Sequence, residues 1–186
     1  QKKILKYLKS KKINVLSFRE PGGSKNAEKL RKIILNNKNK FDKFTDLLLY
    51  MASRNENMKM IEIYKKAKVI IIDRFIHSSL AYQHYGMKVN LDVINKLNDF
   101  ILNNKKIHFT FLMLVSKKNL KKRLKLRKRL NRYDRFKLSF YNKVQNGYLK
   151  LSKREKNKFL IINSDNDLKY NEKIIIKKIN SILKIK

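Results

Sequence analysis

VIIIDRFIHSSLAYQ, residues 69–83, is the stretch from which the fold can be read. Its first four residues are β-branched and apolar without a break, as in a strand buried on both faces. The run stops at Asp73 and Arg74. An acid and a planar cation at the carboxyl end of a parallel strand stand where open α/β sheets bind ligands. A strand closed by a surface ion pair reads equally well from this stretch alone. Beyond it the pattern turns helical, and Ser79 and Gln83, one turn apart, share a face.

Working outward, strands and helices alternate. Residues 1–10 read as a helix and 13–18 (INVLSF) as a strand, followed by the loop REPGGS at 19–24. That loop holds the single proline, Pro21, and the one glycine pair, Gly22–Gly23. Such a loop lets backbone approach an anion closely, although an ordinary strand-to-helix turn looks the same. Residues 27–35 form a helix with Leu30, Ile33 and Ile34 as its core face and Arg31 off it. A long helix follows at 44–66, with Leu47, Leu48, Met51, Met58 and Ile61 as its apolar stripe. Tyr50 and Arg54 are i, i+4 neighbours on it, so a ring and a guanidinium stack along one face. The helix carrying Tyr82 and Gln83 ends at residues 84–86, and another runs over 91–102. Strands at 108–115 and 159–162 and helices at 140–153 and 168–183 complete the chain, with Ser116 capping a helix that contains Leu120 and Leu124. The alternation predicts an α/β fold, a mostly parallel sheet covered by helices.

Composition narrows the function. A chain of 186 residues with 42% hydrophobic content is one domain with a real core. It has no cysteine, so disulfides and thiolate metal sites are excluded. No apolar run is long enough to span a bilayer and no signal peptide is visible, which makes cytoplasmic location the expectation and gives no membrane partner. The net charge of +34 invites a nucleic-acid reading. The cations are spread throughout, and Lys, Asn and Ile, all with A/T-rich codons, dominate the sequence, so biased base composition explains the charge and specific nucleic-acid binding is not expected. Ten arginines stand among 48 basic residues, five of them between 123 and 135. Where Lys is the default cation, Arg marks a site needing a flat bidentate fork, usually for phosphate. The segment 121–135 reads either as a solvated helix face or as a mobile phosphate-binding flap, and the arginines favour the flap.

FREPGGS (18–24), LLLYMASR (47–54), DRFIHSSLAYQ (73–83) and an Arg-rich stretch leading into RLNRYD (129–134) together resemble bacterial thymidylate kinase, over nearly the entire chain. The resemblance implies a P-loop nucleoside monophosphate kinase fold that transfers the ATP γ-phosphoryl group to dTMP, giving dTDP, with Mg²⁺ as cofactor. It implies that Tyr50 stacks on thymine, at a position usually Phe. Arg54 then donates to a thymine carbonyl, with Ser79 and Gln83 completing the base edge. Arg31 and Arg74 hold the monophosphate, and Tyr82 sits against the sugar C2′. Asp73 lies near the metal, reaching it through water, and Glu20 stands beside the phosphoryl acceptor. Arg127, Arg129 and Arg132 descend from a lid at about 123–136 onto the transferring group. Phosphoryl transfer asks mainly for positioning and charge neutralisation, so no nucleophilic triad is needed. His77, His84 and His108 are then structural or solvent-facing. A homodimer is implied too, with the 44–66 helix a contributor. The rival readings are a basic nucleic-acid-binding protein without catalysis, a kinase for another nucleotide, and an inactive relic of the kinase.

The sequence departs from the family at three points. The P-loop, GxxxxGK[ST], does not occur in residues 1–186, and with it the central first strand is missing, so the single domain at 1–186 is expected to be incomplete at its N-terminus. Truncation and gene erosion both explain this; the well-kept remaining motifs favour truncation. Asn131 stands where Asp is common, and His84 where Gly is common. A chain confined to these residues is expected to bind ATP poorly and to show little kinase activity. A coupled assay checks this, and ordinary turnover would overturn it.

Overall fold

The computed structural model describes residues 1–64 and 66–185. The first helix, α1 (Lys2–Ser10), buries Ile4 and Leu8, one turn apart. Strand β1 (Val15–Arg19) leads through the 20–24 loop into α2 (Lys25–Leu35), whose cap is Ser24: its Oγ accepts from the Ala27 N–H at 3.2 Å. The long helix α3 (Lys43–Ile63) is capped by Asp42, which accepts from the Phe44 N–H at 2.7 Å. Of the helix expected at 44–66, Lys65 lies outside the described residues. Strand β2 (Val69–Asp73) is followed by a short α4 (Ile76–Ser79) and a π-helical segment (Leu80–Gly86). Then come α5 (Leu91–Leu102), β3 (Thr110–Leu114) and α6 (Lys117–Lys125), where Ser116 caps as expected by accepting from Asn119 N–H at 3.2 Å. A 3₁₀ turn (Arg132–Arg135), α7 (Leu138–Arg154), β4 (Phe159–Asn163) and α8 (Leu168–Leu183) finish the chain.

The strands pair in parallel, β1 with β2 from Val15↔Val69 to Arg19↔Asp73, and β3 with β4 from Thr110↔Phe159 to Leu114↔Asn163. No ladder joins β2 to β3 among the described residues. What makes the two pairs one layer is a shared core. Val15, Val69 and Ile71 from the first pair and Phe111 from the second pack on Ile4, Leu8 and Ile179 of α1 and α8. Alternate residues point to the opposite face, where Leu16, Phe18 and Ile72 meet Met58 of α3 and Leu102 of α5. Helices therefore cover both faces, as a parallel arrangement requires. A third cluster, Leu47, Met51, Leu80, Ile94 and Leu151, ties α3, the π segment, α5 and α7 together.

Two expected core positions lie outside. Ile33 is 44% exposed and Leu48 43%. The inward face of α2 runs through Ala27 and Ile34, seven residues apart, and Ile33 falls about 100° round from it. Leu48 is displaced from the buried Leu47 by the same turn.

The 20–24 loop is sewn to α3. The Gly22 N–H donates to Ser53 Oγ at 3.1 Å, and Asn57 Nδ2 donates to the Gly22 carbonyl at 2.7 Å. The Gly23 N–H donates to Glu28 Oε1 at 3.0 Å and the Ser24 N–H to Asn57 Oδ1 at 3.0 Å. Of the two readings of this loop, anion approach or an ordinary strand-to-helix turn, these bonds fit the second: the amides of Gly22, Gly23 and Ser24 are committed to protein acceptors. Gly23 has φ +118°, and a Cβ there would lie 2.6 Å from Asn57 Oδ1. Gly23→Ala is accordingly expected to cost about 2–3 kcal/mol, from backbone strain and the lost Asn57 clamp. Urea denaturation of the variant checks this; a loss under about 0.5 kcal/mol would refute the packing described.

Candidate functional site

A cavity of about 360 Å³ opens at the carboxyl ends of the strands. Glu20 and Pro21 enter it from the loop after β1, Arg74 from the end of β2, and Leu114 and Val115 from β3. Arg31 of α2, Tyr50 of α3 and Tyr82 of the π segment close one side; Arg127 and Tyr133 close another. Tyr141 and Tyr148 of α7, seven residues apart and so on one helix face, complete it. The volume falls in the range of small-ligand sites.

Two guanidinium groups give the cavity its charge. Arg31 Nη1 donates to the Pro21 carbonyl at 2.5 Å. Burial, then repulsion from Arg19 and more weakly from Arg74, lowers its hold on its proton below the ordinary arginine level. Arg74 follows β2 with φ +67°, a left-handed turn that an arginine rarely adopts. Its Cζ lies 4.4 Å from the centroid of the Tyr82 ring. Burial pushes the phenols of Tyr50, Tyr133 and Tyr148 above their ordinary range and that of Tyr141 to about 12, so all four are neutral donors at pH 7. Tyr133 stands edge-on to both Tyr50 and Tyr82, at 6.0 and 5.9 Å between centroids.

Behind Glu20 lies a buried ion pair. Arg54 Nε donates to Glu20 Oε2 at 2.9 Å, and its Nη2 is 2.8 Å from the same oxygen. Nη2 also donates to Ser79 Oγ at 3.0 Å, and Nη1 to Asn98 Oδ1 at 2.5 Å and to Met51 Sδ at 3.6 Å. Every guanidinium nitrogen donates to a protein acceptor. The expected stack of Arg54 on Tyr50 is not formed; drawn to Glu20, the guanidinium lies over Phe75, 5.2 Å from its centroid. Burial raises the Glu20 carboxyl above its usual value and Arg54 pulls it back. Glu20 Oε1 is buried and accepts no hydrogen bond among the described residues.

Of the residues singled out in the sequence, Glu20, Arg31, Tyr50, Arg74, Tyr82 and Arg127 line this one cavity. Arg54, Ser79 and Gln83 do not; they are buried one side chain further in. Asp73 is exposed at the end of β2, where its carbonyl accepts from the Glu20 N–H at 2.9 Å. In the segment at 123–136, where a lid is expected, Arg127 pairs with Asp134, Arg129 is exposed, and Arg132 turns inward to Asp46. Asn131 caps the 3₁₀ turn by accepting from the Tyr133 N–H at 2.9 Å, as an Asp would. His77 is buried beside Glu155, His84 bonds the Val89 carbonyl, and His108 is exposed. Sequence reasoning missed Tyr133, Tyr141, Tyr148, Asp46 and Asn98; only the seven-residue spacing of Tyr141 and Tyr148 offered a signal.

No group of three or more metal-ligating side chains occurs among the described residues. Asp73 is a single exposed carboxylate beside the cavity residue Arg74 and does not itself line the cavity; one carboxylate is compatible with Mg²⁺, which takes most of its ligands from water and substrate phosphates.

A parallel, helix-covered layer with this arginine- and tyrosine-lined cavity at its strand ends is of the nucleoside monophosphate kinase fold class. The thymidylate kinase family model matches residues 1–175. The chain belongs to the thymidylate kinase family. It is 37% identical over 186 residues to a thymidylate kinase of Mycoplasma capricolum subsp. capricolum, covering 95% of this chain and 87% of that one. A Clostridium novyi thymidylate kinase is 38% identical over 169 residues, 88% of this chain and 82% of that protein. The crystal structure of thymidylate kinase from Ehrlichia chaffeensis superposes with a TM-score of 0.69 at 27% identity, covering 90% of this chain and 80% of that one.

The Glu20–Arg54 pair makes a stability prediction. Glu20→Gln and Arg54→Met should each cost about 3–5 kcal/mol by stranding the partner in the interior. The double variant should cost less than their sum by about 1–3 kcal/mol. Urea unfolding of the three variants measures this, and additivity would show that the two groups are not a pair in solution.

Proposed function

We propose that this chain provides the acceptor side of a thymidylate kinase: it binds dTMP and presents the phosphate for transfer of the ATP γ-phosphoryl group, giving dTDP. The observation that carries the reading is the convergence of Arg31 and Arg74 with Tyr50 and Tyr82 on one cavity. Two guanidinium forks match the oxygens of a phosphate monoester, which brings about two negative charges. Tyr50 supplies a neutral ring for the base, and Tyr82, held against Arg74, supplies the wall beside the sugar.

Transfer between phosphates requires in-line positioning and neutralisation of charge on the equatorial oxygens. Arg31 and Arg74 anchor the acceptor, and Arg127 is the lid arginine that lines the cavity. Arg127 must exchange Asp134 for a phosphoryl oxygen to act there. Arg129 is free to move with the lid, whereas Arg132 serves from its buried place. Glu20, its Oε1 without a donor, stands as an acceptor for a hydroxyl or water at the acceptor end. Mg²⁺ held through Asp73 supplies charge neutralisation at the phosphates when bound. For Arg54 to read a thymine carbonyl directly, one of its five donors must leave a protein partner; in the present arrangement it acts by fixing Glu20. Ser79 is Arg54's acceptor, and Gln83 stands behind the base wall.

Binding of the acceptor is testable without ATP. Titration calorimetry should show dTMP binding and thymidine binding far more weakly. Arg74→Met should weaken dTMP by about tenfold to a hundredfold, the worth of one charge-assisted contact. Equal affinity for dTMP and thymidine would sink the proposal.

A further inference from the structure

Helix α7 turns one face to the cavity, and Tyr141, Gln145 and Tyr148 stand on it beside Val144. Two of the three polar heads are spent on backbone. The Tyr141 hydroxyl donates to the Tyr133 carbonyl at 2.7 Å, and Gln145 Nε2 donates to the Val115 carbonyl at 2.6 Å. Tyr148 differs: its hydroxyl meets another hydroxyl, Ser78 Oγ, at 2.7 Å.

That pairing leaves a hydrogen over. Two hydroxyls carry two hydrogens, and the bond between them uses one. Among the described residues neither oxygen has a second hydrogen-bond partner. A polar hydrogen taken out of water without an acceptor is costly. If Tyr148 donated to Ser78, the spare hydrogen would sit on Ser78, which is 9% exposed and does not line the cavity. If Ser78 donates, the spare hydrogen sits on Tyr148, which does line it. The second arrangement leaves the hydrogen where an incoming ligand can take it.

The group beside that hydroxyl is Arg74. Burial pushes the Tyr148 phenol above its ordinary range, and the Arg74 charge pulls it back. The hydroxyl therefore keeps its proton at pH 7 and feels the guanidinium that follows β2. A cation cannot accept the hydrogen. Asp73, which also faces the phenol, makes no hydrogen bond to it among the described residues. An anion seated on Arg74 brings both the charge that the arginine attracts and the lone pairs that the hydroxyl lacks.

We propose that the Tyr148 hydroxyl is a further contact for the acceptor phosphate: it donates to a phosphate oxygen held by Arg74, while Ser78 donates to it from behind. This rests on the acceptor reading above. The bond from Ser78 occupies a lone pair of the phenol oxygen and so turns its hydrogen toward the cavity. The phosphate is then met by a charged fork from the end of β2 and by a neutral donor from α7.

The test compares dTMP with thymidine, which differ only in the phosphate. Tyr148→Phe keeps the ring and removes the hydroxyl. Its dTMP dissociation constant is expected to rise about tenfold, the worth of one hydrogen bond to a charged group, while that of thymidine, followed by NMR at millimolar concentration, stays within about twofold. Ser78→Ala breaks the same bond between α7 and α4 but leaves the phenol, and it is expected to bind dTMP within about threefold of wild type. Wild-type dTMP affinity in Tyr148→Phe overturns the proposal. So does an equal loss for both ligands, or a loss in Ser78→Ala as large as that in Tyr148→Phe; either result makes Tyr148 a strut between two helices and nothing more. Where Tyr148→Phe does not fold, a crystal structure of the wild-type chain with dTMP decides: a phosphate oxygen within about 3.2 Å of the hydroxyl supports the contact, and none there overturns it. A wild-type chain that binds dTMP no better than thymidine overturns the acceptor reading and this contact with it. A wild-type preference for dTMP that Tyr148→Phe leaves intact overturns this contact alone.

Discussion

A guanidinium and a carboxylate taken out of water together lose hydration that their mutual attraction alone does not offset; the remaining donors must all find acceptors. Arg54 meets that condition. Glu20, Ser79, Asn98 and Met51 take its N–H groups, and they come from the post-β1 loop, α4, α5 and α3 itself. One side chain thus fixes four segments at the place where the strands end. The cavity inherits its geometry from this knot: Glu20 is held at its edge, and the π segment carrying Tyr82 begins immediately after Ser79.

Helix α3 is the element on which this depends. Asp46, Tyr50, Ser53, Arg54 and Asn57 are all buried on it, interleaved with Leu47, Met51 and Met58. A helix with both polar and apolar side chains inside has no clean amphipathic stripe, so its sequence looks less ordered than its structure is. Each polar member has a task. Ser53 and Asn57 hold the glycine loop, Arg54 holds Glu20, Asp46 holds the 3₁₀ turn at Arg132–Arg135, and Tyr50 faces the cavity. Burying so many polar groups on one helix is tolerated because each has a partner.

This explains which features the sequence disclosed. The strands were legible because β-branched runs at 69–72 and 159–162 leave few alternatives, and parallel pairing followed from the alternation. Ser116 was legible as a cap because capping is local, three residues from donor to acceptor. The arginine and tyrosine positions came with family motifs that span the chain. Asp46 was hidden because its donors lie 37, 86 and 87 residues downstream, and no local pattern records such a pairing. Arg54 was misjudged for the same reason: its spacing from Tyr50 suggests a surface stack, whereas Glu20, 34 residues away, draws it inside. The π-helical register at Leu80–Gly86 also left no trace, since periodicity over seven residues does not separate it from an α-helix.

The strand layer raises a mechanical question that the helices answer. With β1–β2 and β3–β4 as separate ladders, no strand-to-strand hydrogen bonding holds the two cavity walls in register among the described residues. Arg74 comes from one pair and Leu114 and Val115 from the other. The connection runs instead through α7 against the π segment. At Gly147 a Cβ would fall 2.6 Å from the Tyr85 ring, so the two backbones approach as closely as a glycine allows. Tyr148, the next residue, bonds Ser78 at 2.7 Å, and Gln145 donates to the Val115 carbonyl at 2.6 Å. Within four residues, 145–148, α7 grips α4 with one bond and the residue after β3 with another. This helix contact therefore joins the two walls of the cavity without a ladder between them.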